Sequence, residues 1–204
     1  MRRERAQRFP VPFPYHQRRK VQHPMAEFQH LEYAFDPVFD EHSRVLVLGS
    51  FPSVLSRENA FYYGNPRNRF WRVIAGITGR PVPSDMPLEE SIRSKTTLLL
   101  ESRIALWDVV ASCDIRGSSD ASIRNVVPCD IELILSQSPI EAIFTNGGTA
   151  TRLYARYLEP VCGRGTTGLP STSPANARYS LAMLLECWRE VLSPHLMDGA
   201  TSFG

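Results

Sequence analysis

The amino-acid sequence predicts an α/β protein, a three-layer αβα sandwich around a short, mainly parallel four-stranded sheet. Two observations lead to this fold class. Short apolar runs typical of buried strands alternate with segments whose apolar residues recur at helical spacing. Small or polar residues follow these runs, as they do at the carboxyl ends of parallel strands between helices. The chain of 204 residues, 43% hydrophobic, is long enough for one domain with a substantial core.

Four strands are predicted, and their ends matter most for function. Three are apolar runs at residues 45–48, 104–109 and 142–145. The fourth is expected just before Leu169, although the glycine-rich sequence there is a poor strand former. Because the carboxyl ends of parallel strands meet at one edge of a sheet, the loops at Gly49, Asp108, Asn146 and Leu169 should share one rim.

The predicted helices complete the alternation. Phe70, Trp71, Val73, Ile74 and Ile77 lie on one helix, which Gly79 and Pro81 end. Further helices are predicted over residues 88–100 and 148–157. A final helix carries an apolar stripe that recurs at helical spacing between residues 181 and 192.

The charge of the chain divides it into unequal parts. Residues 1–20 hold seven Lys or Arg and one Glu, a net charge of +6, whereas the remaining sixteen bases and twenty acids give −4. We expect residues 1–25 to be a disordered basic arm, with a DNA-contacting arm as the alternative. Residues 26–195 form the predicted domain, and 196–204 a C-terminal tail. An acidic body argues against strong nonspecific DNA binding.

Composition excludes several classes of protein. No apolar stretch is long enough to cross a membrane, and no secretory signal is present, so a cytoplasmic protein is predicted, with a mitochondrial presequence as the weaker alternative. The four cysteines lack zinc or iron–sulfur spacing and are expected to be free thiols. No metal or cofactor is expected, and the protein is expected to be a monomer.

Two polar motifs flank the first strand and the first predicted helix. Gly49-Ser50-Phe51-Pro52-Ser53 follows the strand, where glycine allows close approach of a ligand and proline stiffens the turn. Residues 62–71 read YYGNPRNRFW, in which a tyrosine offers a ring for stacking and Asn68 an amide that both donates and accepts. An ordinary strand-to-helix loop and a helix-capping Asn68 are the alternatives. Together the motifs suit a nucleobase.

Two further stretches carry candidate groups. Residues 169–178, LPSTSPANAR, place hydroxyls before a helix, which is typical either of a phosphate site or of a capping loop. Asp108, at a strand end and upstream of the 117–123 loop, is either an acid or orienting group or a structural aspartate.

Taken together, GSFPSVLS, FYYGNPRNRFW, ALWDV and LPSTSPANARYS resemble the uracil-DNA glycosylase superfamily, most closely its hypoxanthine-DNA (deoxyinosine) glycosylase branch. The resemblance covers roughly residues 35–193. It implies that Phe51 stands where most members carry a water-positioning Asp or Asn, and that Asn68 takes over this role. Leu169 replaces the His or Asn that stabilises a departing uracil. Both departures point to a purine-type lesion.

The resemblance also assigns the site residues. Asn68 is the implied catalytic residue, and no lysine is present in these motifs to form a Schiff base. The implied base-binding residues are Gly49, Ser50, Phe51, Pro52, Tyr63 and Asn146. The implied DNA-binding residues are Ser53, Ser56, Ser171, Thr172, Ser173, Pro174 and Asn176.

The implied function is a monofunctional glycosylase of base excision repair. It would hydrolyse the N-glycosidic bond of a deaminated base, hypoxanthine or else xanthine, flipped out of double- or single-stranded DNA. Three alternatives remain open at this point: a uracil-directed enzyme of the same fold, a damaged-DNA-binding module without catalysis, and an enzyme acting on free nucleosides.

Overall fold

The computed structural model describes residues 27–32, 35–82, 86–116 and 122–196. The predicted basic arm, the C-terminal tail beyond residue 196 and most of the 117–123 loop lie outside the described residues. Within the described ranges, none of the helices combines the length and apolar character that a membrane crossing would require. All four cysteines are free thiols, as predicted.

The elements follow one another in a mixed order of strands and helices. The strands are β1 (Phe28–Glu32), β2 (Val45–Gly49), β3 (Ile104–Asp108), β4 (Val110–Arg116), β5 (Arg124–Pro128), β6 (Ala142–Asn146) and β7 (Thr167–Leu169). The helices are α1 (Val54–Glu58), α2 (Phe70–Thr78), α3 (Leu88–Glu101), α4 (Glu132–Leu135), α5 (Gly148–Tyr157), α6 (Glu159–Cys162) and α7 (Leu181–Leu196).

The central sheet is the predicted one. Its order is β3-β2-β6-β7, and all neighbouring strands are parallel. Every residue of β2 and β3 is buried, which explains why both read as unbroken apolar runs. Helix α3 packs beside β3, α5 beside β6 and β7, and α7 beside α2 and β2. The predicted α/β fold with a four-stranded sheet flanked by helices is therefore confirmed.

A second sheet was not predicted. Strands β1, β4 and β5 form a three-stranded antiparallel sheet in the order β1-β4-β5. Strand β4 begins only two residues after β3 ends, so the sequence hides a boundary between two strands at Val109. The exposed residues of β1 and β5 also give these strands no continuous apolar run.

The strand register brings the predicted rim together. Gly49 lies opposite Asp108, Leu48 lies opposite Thr145, and Asn146 lies opposite Leu169. The four strand ends therefore lie at one edge of the sheet, as predicted. The fourth strand is only three residues long, and its pairing with β6 rather than its own sequence defines it.

Helix α2 begins and ends where the sequence indicates. Its buried face consists of Phe70, Trp71, Val73 and Ile74, and Gly79 adopts a left-handed conformation (φ 69°) at the C-terminal cap. The Phe70 ring meets Trp188 of α7 edge-on, with 6.0 Å between ring centroids, and both side chains are fully buried. This packing fixes the N-terminus of α2 beside the rim.

Candidate active site

A cavity of about 540 Å³ opens at the rim of strand ends. Its volume is within the roughly 300–1,000 Å³ usual for small-molecule sites. Its walls come from the loops after β2 and β7, from the turn before α2 and from the strand ends themselves. The lining residues are Phe35, Gly49, Ser50, Phe51, Pro52, Ser53, Ser56, Arg57, Tyr62, Tyr63, Asn68, Asp108, Ile115, Asn146, Ser171, Thr172, Ser173, Ala175 and Asn176.

Every residue predicted for the site lines this cavity except Pro174, which is exposed on the 171–176 loop. The structure thus brings the predicted motifs together. The individual roles assigned to these residues stay predictions.

The strand ends form a tightly packed wall. A Cβ atom on Gly49 would lie 2.0 Å from Oδ1 of Asp108 and 3.2 Å from the Tyr63 hydroxyl. Only glycine therefore fits at this position without a shift of its neighbours. Asp108 is 5% exposed and lines the cavity, which leaves both interpretations of this residue open.

The carboxylate of Asp108 also influences a nearby thiol. Burial, and then the charge of Asp108, raise the pKa of Cys129 to about 12. Cys129 therefore stays a protonated thiol at neutral pH, and it is an inert structural cysteine rather than a nucleophile.

Asn146 connects this wall to the loop after β7. Its Nδ2 donates to the Tyr63 hydroxyl and to Oγ1 of Thr172, both over 2.9 Å, and its Oδ1 accepts from the Thr172 backbone N–H over 3.0 Å. Both amide hydrogens are thus in use. Without rearrangement, only the second lone pair of Oδ1 is left for the predicted contact with a base.

Tyr63 is held from two sides. Its ring stacks on Phe70 with a centroid separation of 4.0 Å and an interplanar angle of 20°, while its hydroxyl accepts from Asn146. Its backbone is left-handed, with φ 51°, which is uncommon for a residue other than glycine. The result is a fixed aromatic surface in the cavity wall.

Asn68 precedes Arg69, the N-cap residue of α2, bonds the start of this helix and lines the cavity. Its Oδ1 accepts from the Phe70 N–H over 3.0 Å, and its own N–H donates to the Asn65 carbonyl over 2.8 Å. No residue of the described ranges accepts a hydrogen bond from its Nδ2. The helix-capping role and the proposed catalytic role are therefore compatible, since one oxygen lone pair and the amide hydrogens remain for a water or a ligand.

The loop after β2 places the aromatic ring of Phe51 in the cavity wall. Phe51 is 7% exposed, and the guanidinium carbon of Arg57 lies 5.8 Å from its ring centroid. Arg57 also donates to the Pro52 carbonyl over 2.7 Å. Sequence reasoning missed Arg57, although its position four residues after Ser53 places it one helical turn further along α1.

Ser56 lies in the cavity wall and is almost fully buried. It was expected to bind DNA, but it is 3% exposed, and its hydroxyl bonds Ser53 Oγ over 3.0 Å and accepts from the Gly64 N–H over 3.1 Å. Ser56 therefore holds the two loops together, and its contact with DNA stays a prediction. Ser53, in contrast, caps α1 by accepting from the Ser56 N–H and lies at the exposed surface.

The loop after β7 is internally bonded. Ser171 Oγ accepts from the Ser173 N–H, Ser173 Oγ from the Ala175 N–H, and Asn176 Nδ2 donates to the Ser171 carbonyl. Thr172 is fully buried and joins the loop to Asn146, and its expected contact with DNA stays a prediction. Ser171, Ser173 and Asn176 are partly exposed and are still candidates for phosphate contacts.

The most important residue that sequence reasoning missed is Arg69. It directly follows Asn68, and its side chain reaches the loop after β7. The NRF sequence gave no signal beyond a helix start, because the residues it binds are more than 100 positions away. Phe35, Tyr62, Ile115 and Ala175 also line the cavity without having been predicted.

Known proteins of similar sequence share this architecture. The family model described as "Uracil DNA glycosylase superfamily" matches residues 37–192. A hypoxanthine DNA glycosylase of Methanosarcina acetivorans is 34% identical over 146 residues, 72% of this chain and 89% of that protein. Another, of Methanosarcina barkeri, is 30% identical over 156 residues, 76% of this chain and 94% of that protein.

A solved structure agrees with the sequence comparisons. A solution NMR structure of a protein from Methanosarcina acetivorans, named as a candidate uracil DNA glycosylase, aligns with a TM-score of 0.62 at 33% identity. The alignment covers 79% of this chain and 98% of that one. The family match extends over the cavity and every loop that lines it except Phe35, and the chain therefore belongs to the uracil DNA glycosylase superfamily.

Proposed function

We propose that this protein is a monofunctional DNA glycosylase that removes hypoxanthine, and to a lesser degree xanthine, from DNA. The observation that carries the proposal is the cavity, which is lined by the stacked ring of Tyr63 and by the amide of Asn68. One oxygen lone pair of this amide accepts from the Phe70 N–H, and its other groups face no partner among the described residues. Two relatives named as hypoxanthine DNA glycosylases, at 34% and 30% identity, support the choice of lesion.

The target base must leave the duplex to enter the cavity. Extrusion costs a few kcal/mol of stacking and pairing, and least for a mispaired base such as hypoxanthine opposite thymine. Phe51 and Tyr63 supply aromatic surface that replaces lost stacking, at roughly 1–3 kcal/mol per base. The partly exposed Ser171, Ser173 and Asn176 are in a position to contact flanking phosphates.

The chemical step is a hydrolysis. A water oxygen forms a bond to C1′ of the sugar and releases one of its protons to solvent. The bond from C1′ to N9 of hypoxanthine breaks, and the base leaves with its electron pair and takes up a proton. Oδ1 of Asn68 accepts from this water through its remaining lone pair, while the Phe70 N–H holds the amide in place. Asn68 acts by orientation, because an amide is too weak a base to remove the proton itself.

The other two motif positions argue against uracil as the main substrate. Phe51 carries no group that could orient water, and Leu169 is 5% exposed and is apolar. Neither side chain can stabilise the negative charge of a departing uracil. A purine is less dependent on such help, because it can be protonated as it leaves.

Base release from defined duplexes tests the proposal. The protein is incubated in excess with duplexes that carry one hypoxanthine, xanthine or uracil, and the strands are then cleaved with alkali at abasic sites. We expect fastest cleavage at hypoxanthine, slower cleavage at xanthine and least at uracil. Strand cleavage without alkali would contradict a monofunctional enzyme.

Two further measurements separate the competing functions. Tight binding to the hypoxanthine duplex without base release would instead identify a damage-binding module. Release of hypoxanthine from free inosine but not from DNA would identify a nucleoside hydrolase. Either result would overturn the proposal.

A further inference from the structure

The side chain of Arg69 gathers four carbonyl groups of the loop after β7. Its Nη2 donates to the carbonyls of Ser173 and Asn176 over 2.7 and 3.0 Å, and its Nε to that of Thr172 over 3.2 Å. Its Nη1 donates to the Tyr179 carbonyl. The Arg69 backbone N–H also donates to the Thr172 carbonyl, over 3.1 Å. One residue thus fixes the course of residues 172–179.

Arginine suits this task better than lysine would. Its guanidinium is a rigid planar fork with five donors and stays charged at every physiological pH. Carbonyls that converge on one plane can therefore be held together by a single side chain. An ammonium group has three donors at one point and cannot span the same set of acceptors.

These bonds also determine which groups the loop can present to DNA. A carbonyl oxygen repels a phosphate, and the four carbonyls bound to Arg69 are directed at the guanidinium. The partly exposed Ser171 and Ser173 hydroxyls and the Asn176 amide remain for phosphate contacts. Arg69 thereby removes unfavourable groups from the face of the loop that the proposed function requires.

Arg69 is equally fixed to the site of chemistry. Asn68 precedes it directly, and the following residue, Phe70, donates to Asn68 Oδ1 and stacks on Tyr63. A shift of Arg69 would therefore move the water-orienting amide, the stacking ring and the loop together. The two halves of the site are far apart in the chain, and this residue joins them.

We propose that Arg69 is a positioning residue that locks the DNA-contacting loop to the turn that carries Asn68. Through Arg69, the phosphate contacts of the loop after β7 and the orientation of the attacking water by Asn68 depend on each other. The inference rests on the proposed glycosylase function. It adds to that function a residue that touches neither base nor water and yet sets the geometry of both.

Single-turnover kinetics and DNA affinity of Arg69→Met and Arg69→Lys test the coupling. We expect Arg69→Met to lower the excision rate at saturating enzyme by on the order of 10²-fold, as for a misplacement of about 1 Å, and also to weaken binding. Arg69→Lys keeps the charge but should restore only part of the rate. Arg189→Met is the matched control, because Arg189 is exposed and donates to the Gly76 carbonyl away from the cavity.

Chemical rescue separates positioning from a general structural role. In an Arg69→Ala variant with unchanged circular dichroism, millimolar methylguanidinium should occupy the vacated space and raise the excision rate, whereas methylammonium should not. A rate at saturation equal to that of the wild type in Arg69→Met would overturn the proposal. Equal losses in Arg69→Met and Arg189→Met would also overturn it.

Hydrogen exchange gives a readout that is independent of catalysis. Amides of residues 172–179 should exchange faster in Arg69→Met than in the wild type, while β2 and β6 keep their protection. If the wild type excises no lesion, the proposed function fails, but the Arg69 inference is still decided. Faster loop exchange together with weaker DNA binding supports it, and unchanged exchange overturns it.

Discussion

Two asparagines line the cavity and differ in how many of their hydrogen-bonding groups are already paired. Asn146, at a strand end, spends both amide hydrogens and one oxygen lone pair on Tyr63 and Thr172. Asn68, on the turn before α2, uses a single side-chain lone pair within the described part of the chain, to accept from the Phe70 N–H. The same side chain is thus a structural tie at one position and retains hydrogen-bonding capacity at the other.

The two asparagines therefore serve different purposes in the site. The strand ends are close-packed at Gly49, and the amide hydrogens of Asn146 are already paired before any DNA arrives. The Asn68 side chain, in contrast, keeps hydrogen-bonding groups available for a water. An amide that orients a water needs unpaired hydrogen-bonding groups, whereas an amide that only holds the structure needs all of them paired. The number of paired groups therefore distinguishes the two roles better than residue type does.

Replacing Asn68 should produce the largest effect. Asn68→Ala removes the group that orients the water, and we expect excision at saturating enzyme to fall by about 10²–10⁴-fold, the usual range for a positioned group in proton-transfer chemistry. Affinity for the hypoxanthine duplex should be retained. Single-turnover kinetics and a binding titration measure both quantities.

The cost in stability supplies the control for Asn68. Loss of the bond to the Phe70 N–H should lower the free energy of unfolding by about 0.5–2 kcal/mol, as for a helix cap. Asn68→Asp keeps an oxygen for this bond and for the water, and should retain more activity than Asn68→Ala. A normal rate in Asn68→Ala would show that Asn68 is a cap alone.

Adding a methyl group to Gly49 tests how closely the strand-end wall is packed. In Gly49→Ala the new Cβ would lie 2.0 Å from Asp108 Oδ1, so the carboxylate must move. We expect a loss of about 1–3 kcal/mol in the free energy of unfolding, measured in urea, together with impaired excision. Gly148→Ala is the control, since nothing lies within 4 Å of its Cβ position. Equal stability of both variants would refute a packed wall.

Replacing Asn146 tests whether that amide is a tie. Asn146→Ala leaves the buried Thr172 N–H without its partner, which should cost about 1–3 kcal/mol in unfolding free energy. We expect stability to fall more than in Asn68→Ala, and excision to fall less. Urea unfolding and single-turnover rates on the same two variants decide the matter. A larger loss of excision in Asn146→Ala than in Asn68→Ala, with a smaller loss of stability, would mean that Asn146 rather than Asn68 serves the chemistry.

The smallest effect is expected at Asp114 of the antiparallel sheet, which is not among the residues that line the cavity. Hydrogen bonds from His30 and then Asn125 hold the pKa of Asp114 below its ordinary value of 3.8. A lowered pKa means that ionised Asp114 stabilises the fold above pH 3.8, and that this contribution is lost as the pH falls through the lowered pKa. The stability difference between wild type and Asp114→Asn should therefore vanish at acid pH, with excision at neutral pH unchanged.

The sequence predicts the buried parts of this fold better than the exposed parts. Strands β2, β3 and β6 were found because parallel strands covered on both faces are continuous apolar runs. Strands β1, β4 and β5 were missed because their partly exposed residues carry polar side chains. The three-residue β7 exists only through its pairing with β6, which no local pattern encodes.

The same holds for the site. Motif order brought Asn68, Tyr63 and the 171–176 loop together correctly, since each motif ends at the rim. Burial could not be predicted, and it gives Ser56 and Thr172 internal hydrogen bonds that their sequence positions do not indicate. Arg69 was invisible, because its role depends on carbonyl groups, which every residue possesses and which therefore leave no signature in a sequence.

The left-handed backbone of Tyr63 creates a conflict between the stability of the fold and the proposed activity. A side chain in this conformation costs about 1–2 kcal/mol, and glycine or asparagine would adopt it more readily. Either replacement would relax the turn and at the same time remove the ring that stacks on Phe70 in the cavity wall. We therefore expect a screen for thermal stability to select substitutions at position 63, and the selected proteins to be more stable but inactive.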